Sequence, residues 1–233
     1  MFSSHMFSAA GFQLTRKSAP LTQEEAEKES AMRAADEALI VIDVQNDFCP
    51  GGRLAVTDGD AIIPQINALM AEFACVVLTQ DWHPADHSSF AANHPGAEAF
   101  SLIEMPYGPQ VLWPVHCVQG SAGAEFHTDL QTDAAQLIVR KGFRSGIDSY
   151  SAFFENDHKT PTGLEGYLRA RGISKLTLVG LATDFCVAYS ALDAAQLGFS
   201  VTIRESACRA IDLHGSLAEA KAKSLAAGVH WRD

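Results

Sequence analysis

A parallel, doubly wound α/β sheet with helices on both faces is the fold class that this 233-residue sequence predicts. Three observations predict it. Apolar runs rich in Val, Ile and Leu recur at 38–44 (ALIVIDV), 75–80 (CVVLTQ), 136–140 (QLIVR), 175–181 (KLTLVGL) and 200–206 (SVTIRES). They are nearly continuous rather than alternating, as strands covered on both faces require. Helical patterns at 61–73, 164–171, 184–197 and 215–227 lie between several of them, and Gly172, Gly198 and Gly228 stand where a helix stops and the chain turns into a strand.

In chain order, residues 1–37 precede this rhythm and are expected to be a flexible N-terminal extension to one domain over 38–233. The first 20 residues are rich in Ser, Ala and Phe, with one basic pair, Arg16 and Lys17. They lack the basic segment and apolar run of a signal peptide, and two basic residues support a transit peptide poorly. Residues 21–37 suit a charged, exposed helix, and Met32 could equally be the start of a shorter chain. Beyond the five strand runs, residues 229–231 suit a short sixth strand.

Residues 81–121 break the alternation. They carry Pro84, Pro95, Pro106, Pro109 and Pro114, four histidines, and the aromatics Trp82, Phe90, Phe100, Tyr107 and Trp113. Loops beyond about 12–15 residues are uncommon unless functional or disordered, and so many aromatics argue against disorder. An ordered active-site excursion is expected.

Composition narrows the function. Apolar residues make up 47% and charged residues 19%, which excludes a largely disordered chain. A net charge of −11 argues against nucleic acid or an anionic membrane as partner, and no apolar run approaches the ~20 residues that span a bilayer. Five cysteines, an odd number, argue against a complete disulfide framework, and their scatter without a C-x-x-C pair excludes a cysteine-rich zinc module. A reducing compartment, the cytoplasm, is expected. No G-x-G-x-x-G loop is present, which weakens a nucleotide-binding reading.

The residues that could carry chemistry cluster at strand ends, where ligands bind in such sheets. Asp43 ends an otherwise apolar strand; it is either a functional acid or a buried cap for the following loop. Cys186 follows the strand at 175–181. If a helix starts near Thr183, its N-terminus would lower the thiol pKa and hold an oxyanion; otherwise Cys186 is a small buried hydrophobe, as Cys75 and Cys208 are expected to be. Asp81 and His83 project to the same side of an extended chain, with His87 and His116 farther along the excursion. Carboxylate plus imidazoles suits Zn²⁺, Fe²⁺ or Mn²⁺, and a solvated or hydrogen-bonded ring is the alternative for each histidine. Lys141 also reaches the carboxyl edge. His94, His127, His158 and His214 are expected at the surface or in packing.

Five blocks in register, VIDVQNDFCPGG, TQDWHPADHSSF, WPVHCVQGSAGAEFH, RKGFRSGIDSYSAFF and VGLATDFCVAYSALDAAQLG, closely resemble the bacterial nicotinamidases of the isochorismatase-like hydrolase superfamily. The resemblance covers residues 38 to about 210. It implies a three-layer α/β/α sandwich with a six-stranded parallel sheet, and hydrolysis of nicotinamide to nicotinate and ammonia in NAD salvage, with pyrazinamide also deamidated. It implies a triad of Asp43, Lys141 and Cys186 working through a thioester. It further implies one divalent metal, zinc ahead of iron or manganese, on Asp81, His83 and His116, with His87 a possible fourth ligand. The metal would bind the ring nitrogen. An oxyanion hole of the Ala182 and Cys186 N–H groups, after a cis peptide between Leu181 and Ala182, is implied too. Phe48 and Trp113 would sandwich the pyridine ring, and Tyr150 and Leu181 would contribute to the pocket. A monomer or homo-oligomer is compatible with the pattern. Alternatives are another amidohydrolase of this superfamily acting on a carbamoyl or ureido substrate, or a non-enzymatic module with an exposed sensor thiol at Cys186.

Overall fold

The computed structural model describes residues 34–233, so the expectations for residues 1–33 lie outside the described residues. Six strands form one sheet: β1 (Glu37–Ile42), β2 (Val76–Asp81), β5 (Leu137–Lys141), β6 (Lys175–Leu181), β7 (Ser200–Arg209) and β8 (His230–Arg232). Their spatial order is β5-β2-β1-β6-β7-β8, and every pairing is parallel. The chain therefore leaves β1 to one side through β2 and returns on its other side through β6. That reversal is the crevice at which ligands bind in such sheets.

Side-chain alternation along β1 explains the layers. Leu39 and Val41 join one core cluster, which includes Ile63, Ile66, Leu69 and Met70 of α1 (Ile63–Met70). Ala38, Ile40 and Ile42 join the other, which includes Leu164 and Leu168 of α2 (Leu164–Ala170) and Ala191 and Ala194 of α3 (Ala188–Gln196). Because both faces of β1 are covered, a polar residue at its end is drawn into the interior with it. The last helix, α4 (Ser216–Ala226), precedes β8.

Several boundaries differ from the sequence expectation, each for a local reason. β1 begins at Glu37, where the Asp36 carbonyl accepts from the Ser174 and Lys175 N–H groups and Glu37 accepts from the Thr177 hydroxyl. Ahead of α1, residues 60–62 wind as a 3₁₀ turn, and Pro64 then stands where a missing N–H costs least. The helix expected from 184 begins instead with a π turn over Thr183–Val187, in which the N–H groups of Phe185 and Val187 both reach the Ala182 carbonyl. The 81–121 excursion is ordered and contains a hairpin, β3 (Leu102–Met105) and β4 (Gly108–Val111), that the sequence reading did not include. Its turn is only Pro106–Tyr107, and Pro109 lies within β4, which masks the strand pattern.

Candidate active site

Four neighbouring strands deliver four reactive side chains to one edge. Lys141 closes β5, Asp81 closes β2 opposite it in register, Asp43 follows β1, and Cys186 lies in the turn after β6. All four are buried. Lys141 Nζ lies 2.8 Å from Asp43 Oδ2, 3.0 Å from the Ser149 carbonyl and 3.4 Å from Cys186 Sγ, and it pairs with Asp81 Oδ1. Thr79 donates its hydroxyl to Asp43 Oδ1 at 2.6 Å and accepts the Asp43 N–H at 3.2 Å. An Asp43 oxygen and the Cys186 sulfur come within 4.8 Å of each other.

The charges of this cluster are set by burial against pairing. Burial alone would neutralise Lys141, but Asp43, Asp81 and the Cys186 sulfur outweigh it, and the lysine stays an ammonium. Removing one partner of such a buried pair leaves an uncompensated charge, at a cost of about 3–5 kcal/mol. Burial raises the Asp43 carboxyl against the pull of Lys141. For Asp81, Lys141 and His83 overcome burial and hold the acid well below the usual range. The expected depression of the Cys186 thiol is overturned. Burial, with Asp43 and Asp81 nearby, outweighs Lys141 and pushes it well above its ordinary value. The single lysine charge is shared between two carboxylates, so the resting sulfur is a thiol and needs a base. A buried, protonated thiol is also the reverse of an exposed redox sensor.

Beside this cluster, donor atoms of Asp81, His83 and His116 lie within 4.8 Å of one another. His83 Nδ1 is 2.8 Å from the Gly142 carbonyl and His116 Nδ1 is 2.8 Å from the Pro114 carbonyl. With each carbonyl accepting from the Nδ1–H, both Nε2 atoms are turned toward Asp81 Oδ2, at 3.5 and 3.8 Å. Two imidazoles locked by backbone acceptors around an ionised carboxylate fit a divalent cation that keeps an open position. A Cβ at Gly142 would run into the His83 ring, so the glycine itself lets the imidazole pack there. His87 stands outside this trio. Its Nδ1 meets the Ser89 hydroxyl at 2.7 Å, its Nε2 meets the Ile147 carbonyl at 3.2 Å, and burial lowers its pKa to about 4. It instead shares a second donor group with His83 and Asp148.

A pocket of about 330 Å³ of empty space, partly open to solvent, joins the two halves. Phe48, Trp113 and Tyr150 line it together with Asp81, His83, His116, Ala182 and Cys186. Leu181 does not: it is fully buried in the core, and only its cis peptide to Ala182 reaches the site. The sequence reading missed four lining residues, Leu54, Asp148, Phe185 and Ile211. Phe185 adjoins Cys186, and Asp148 and Ile211 follow β5 and β7, so strand-end position was a usable signal for those three. Leu54 comes from a turn and gave none.

The isochorismatase domain model matches residues 37–229. A nicotinamidase of Acinetobacter baylyi is 57% identical over 82% of this chain and 90% of its own length. The solved nicotinamidase/pyrazinamidase of Acinetobacter baumanii superposes with a TM-score of 0.85 at 58% identity, over 85% of this chain and 96% of that one. A pyrazinamidase of Pyrococcus horikoshii solved in complex with zinc superposes with a TM-score of 0.69 at 35% identity, over 85% and 99%.

Proposed function

This chain belongs to the isochorismatase family, and we propose from that membership that it is a nicotinamidase, hydrolysing nicotinamide to nicotinate and ammonia in NAD salvage and deamidating pyrazinamide as well. The observation that carries the reading is the buried Asp43–Lys141–Cys186 cluster opening into an aromatic pocket beside a histidine-rich donor set.

In the reaction, Asp43 takes the proton from Cys186 Sγ as the sulfur attacks the carboxamide carbon. The backbone N–H groups of Ala182 and Cys186 receive the developing oxyanion. Asp43 passes its proton to the departing nitrogen, ammonia leaves, and the acyl group stays on Cys186 as a thioester. Asp43 then draws a proton from water, which attacks the thioester; the C–S bond breaks, the sulfur recovers the Asp43 proton as a thiol, and nicotinate is released. Lys141 remains charged throughout, fixing the Asp43 carboxylate and balancing the transient thiolate. Phe48 and Trp113 hold the ring from either side. Asp81, His83 and His116 would hold a divalent cation, zinc ahead of iron or manganese for this N/O donor set, which supplies a Lewis-acid contact for the ring nitrogen. All five cysteines are free and buried, which supports a reducing, cytoplasmic setting. Among the described residues no helix is long and apolar enough to cross a membrane.

Ammonia release separates this reading from the carbamoyl alternative. The enzyme is expected to favour nicotinamide over an N-carbamoyl amino acid by at least about 10²-fold in kcat/KM, because only the pyridine fills the aromatic slot and presents a nitrogen to the donor set. A preference for the carbamoyl compound would overturn the assignment.

A further inference from the structure

The two strands of the β3–β4 hairpin contain eight residues, and only one of them, Gln110, is buried. It has no exposed surface at all, while Leu102 on the partner strand is 63% exposed. A hairpin that sends an amide inward and leaves its leucine outside is placing a polar group, since burying an amide costs free energy unless it is fully hydrogen-bonded.

The amide is fully used. Gln110 Nε2 lies 2.8 Å from Asp148 Oδ2, 2.9 Å from the Tyr150 hydroxyl and 2.8 Å from the Val111 carbonyl. Gln110 Oε1 accepts from the Tyr107 hydroxyl at 3.2 Å and from Asn156 Nδ2 at 3.1 Å. The Asp148 carboxylate fixes which way the amide points, because a flipped oxygen would face it. The Tyr150 hydroxyl also accepts the Trp113 indole N–H at 3.1 Å, and Asn156 Oδ1 accepts the Tyr150 N–H at 2.9 Å. Three of the residues in this network, Trp113, Asp148 and Tyr150, line the pocket.

We propose that Gln110 is the positioning residue of the pocket's aromatic wall, holding Trp113 and Tyr150 where they grip the substrate ring. The inference rests on the nicotinamidase reading and deepens it. Without Gln110, the Asp148 carboxylate and the Tyr150 hydroxyl lose a shared donor inside the protein, and buried groups left unpaired reorganise to find partners. Tyr150 then moves, and the indole bonded to it moves too. Gln110 makes no bond to Asp43, Lys141 or Cys186. The nearest link is the Ser149 carbonyl on Lys141 Nζ. Ring binding therefore suffers more than bond cleavage.

Gln110→Leu, close in volume but unable to hydrogen-bond, should raise KM for nicotinamide roughly 10-fold while kcat stays within a factor of about 3. Gln110→Glu keeps the shape, loses the donors and sets a carboxylate against Asp148, so it should do no better. The emission of Trp113 in unliganded protein, isolated from the other two tryptophans by comparison with Trp113→Phe, should change in both variants. A lower melting temperature with unchanged KM and emission would mean that Gln110 only stabilises the hairpin and would overturn the proposal. So would a fall in kcat at constant KM. If Gln110→Leu does not fold, Asn156→Ala removes one donor from Gln110 and one acceptor from Tyr150, and must give the same KM-selective loss. Wild-type protein that released no ammonia from nicotinamide would defeat the functional reading instead, and the substrate-free emission would still decide whether Gln110 sets the wall.

Discussion

Cys186→Ala is expected to bind nicotinamide and release no ammonia from it above background, a fall in kcat of at least about 10³-fold. The change removes the sulfur 3.4 Å from Lys141 Nζ and little else of the pocket, whose lining includes Phe48 and Trp113. Equilibrium binding of nicotinamide should stay close to wild type, which separates lost chemistry from lost structure. Asp43→Asn should be nearly as inactive, because an amide cannot accept the thiol proton. The burial that raises the Cys186 thiol makes this dependence strong, because it favours the protonated sulfur, which needs a base before it attacks. If Cys186→Ala kept about a tenth of wild-type turnover, covalent catalysis would be the wrong scheme.

The second large effect concerns the ring nitrogen. Stripping the divalent ion, or replacing His83 by Ala, should cost nicotinamide roughly 10²-fold in kcat/KM and cost benzamide little. Benzamide presents the same carboxamide to Cys186 and the same aromatic face to Phe48 and Trp113, but has no ring nitrogen to meet a cation that Asp81, His83 and His116 would hold. With metal present it should therefore trail nicotinamide by a similar factor, reduced because water can take the vacant position. Measuring both substrates before and after chelation checks this. A nicotinamide-to-benzamide ratio that did not move would mean that the ion holds the loops together and does not contact the ring.

What the sequence revealed follows from where information is local. The strands were readable because residues buried on both faces must be apolar without interruption, and Asp43 stood out because residues 38–42 before it are all apolar and buried. The sheet order then brings Lys141, Asp81, Asp43 and Cys186 side by side, though they span 144 positions of sequence numbering, from 43 to 186. The motif resemblance selected the donor residues, and no spacing rule alone would have joined His116 to Asp81. Three features escaped for physical reasons. The thiol's protonation depends on Asp81, which takes part of the Lys141 charge, and that sharing appears only in three dimensions. The π turn is set by the Ala182 carbonyl accepting two N–H groups, which no periodicity encodes. The hairpin has one buried residue, so it carries no hydrophobic pattern to detect.

Hydroxylamine partitioning tests the central claim most directly. A thioester on Cys186 is open to any small nucleophile that reaches the pocket, so hydroxylamine should intercept the acyl group and form nicotinohydroxamate while regenerating the thiol. The yield of hydroxamate should rise with hydroxylamine at the expense of nicotinate, with one ammonia released per acyl group in either branch, and Cys186→Ala should give neither product. Nicotinate formed at the full rate with no hydroxamate at any hydroxylamine concentration would contradict the account, because it would mean that water attacks the amide directly and Cys186 never carries the acyl group.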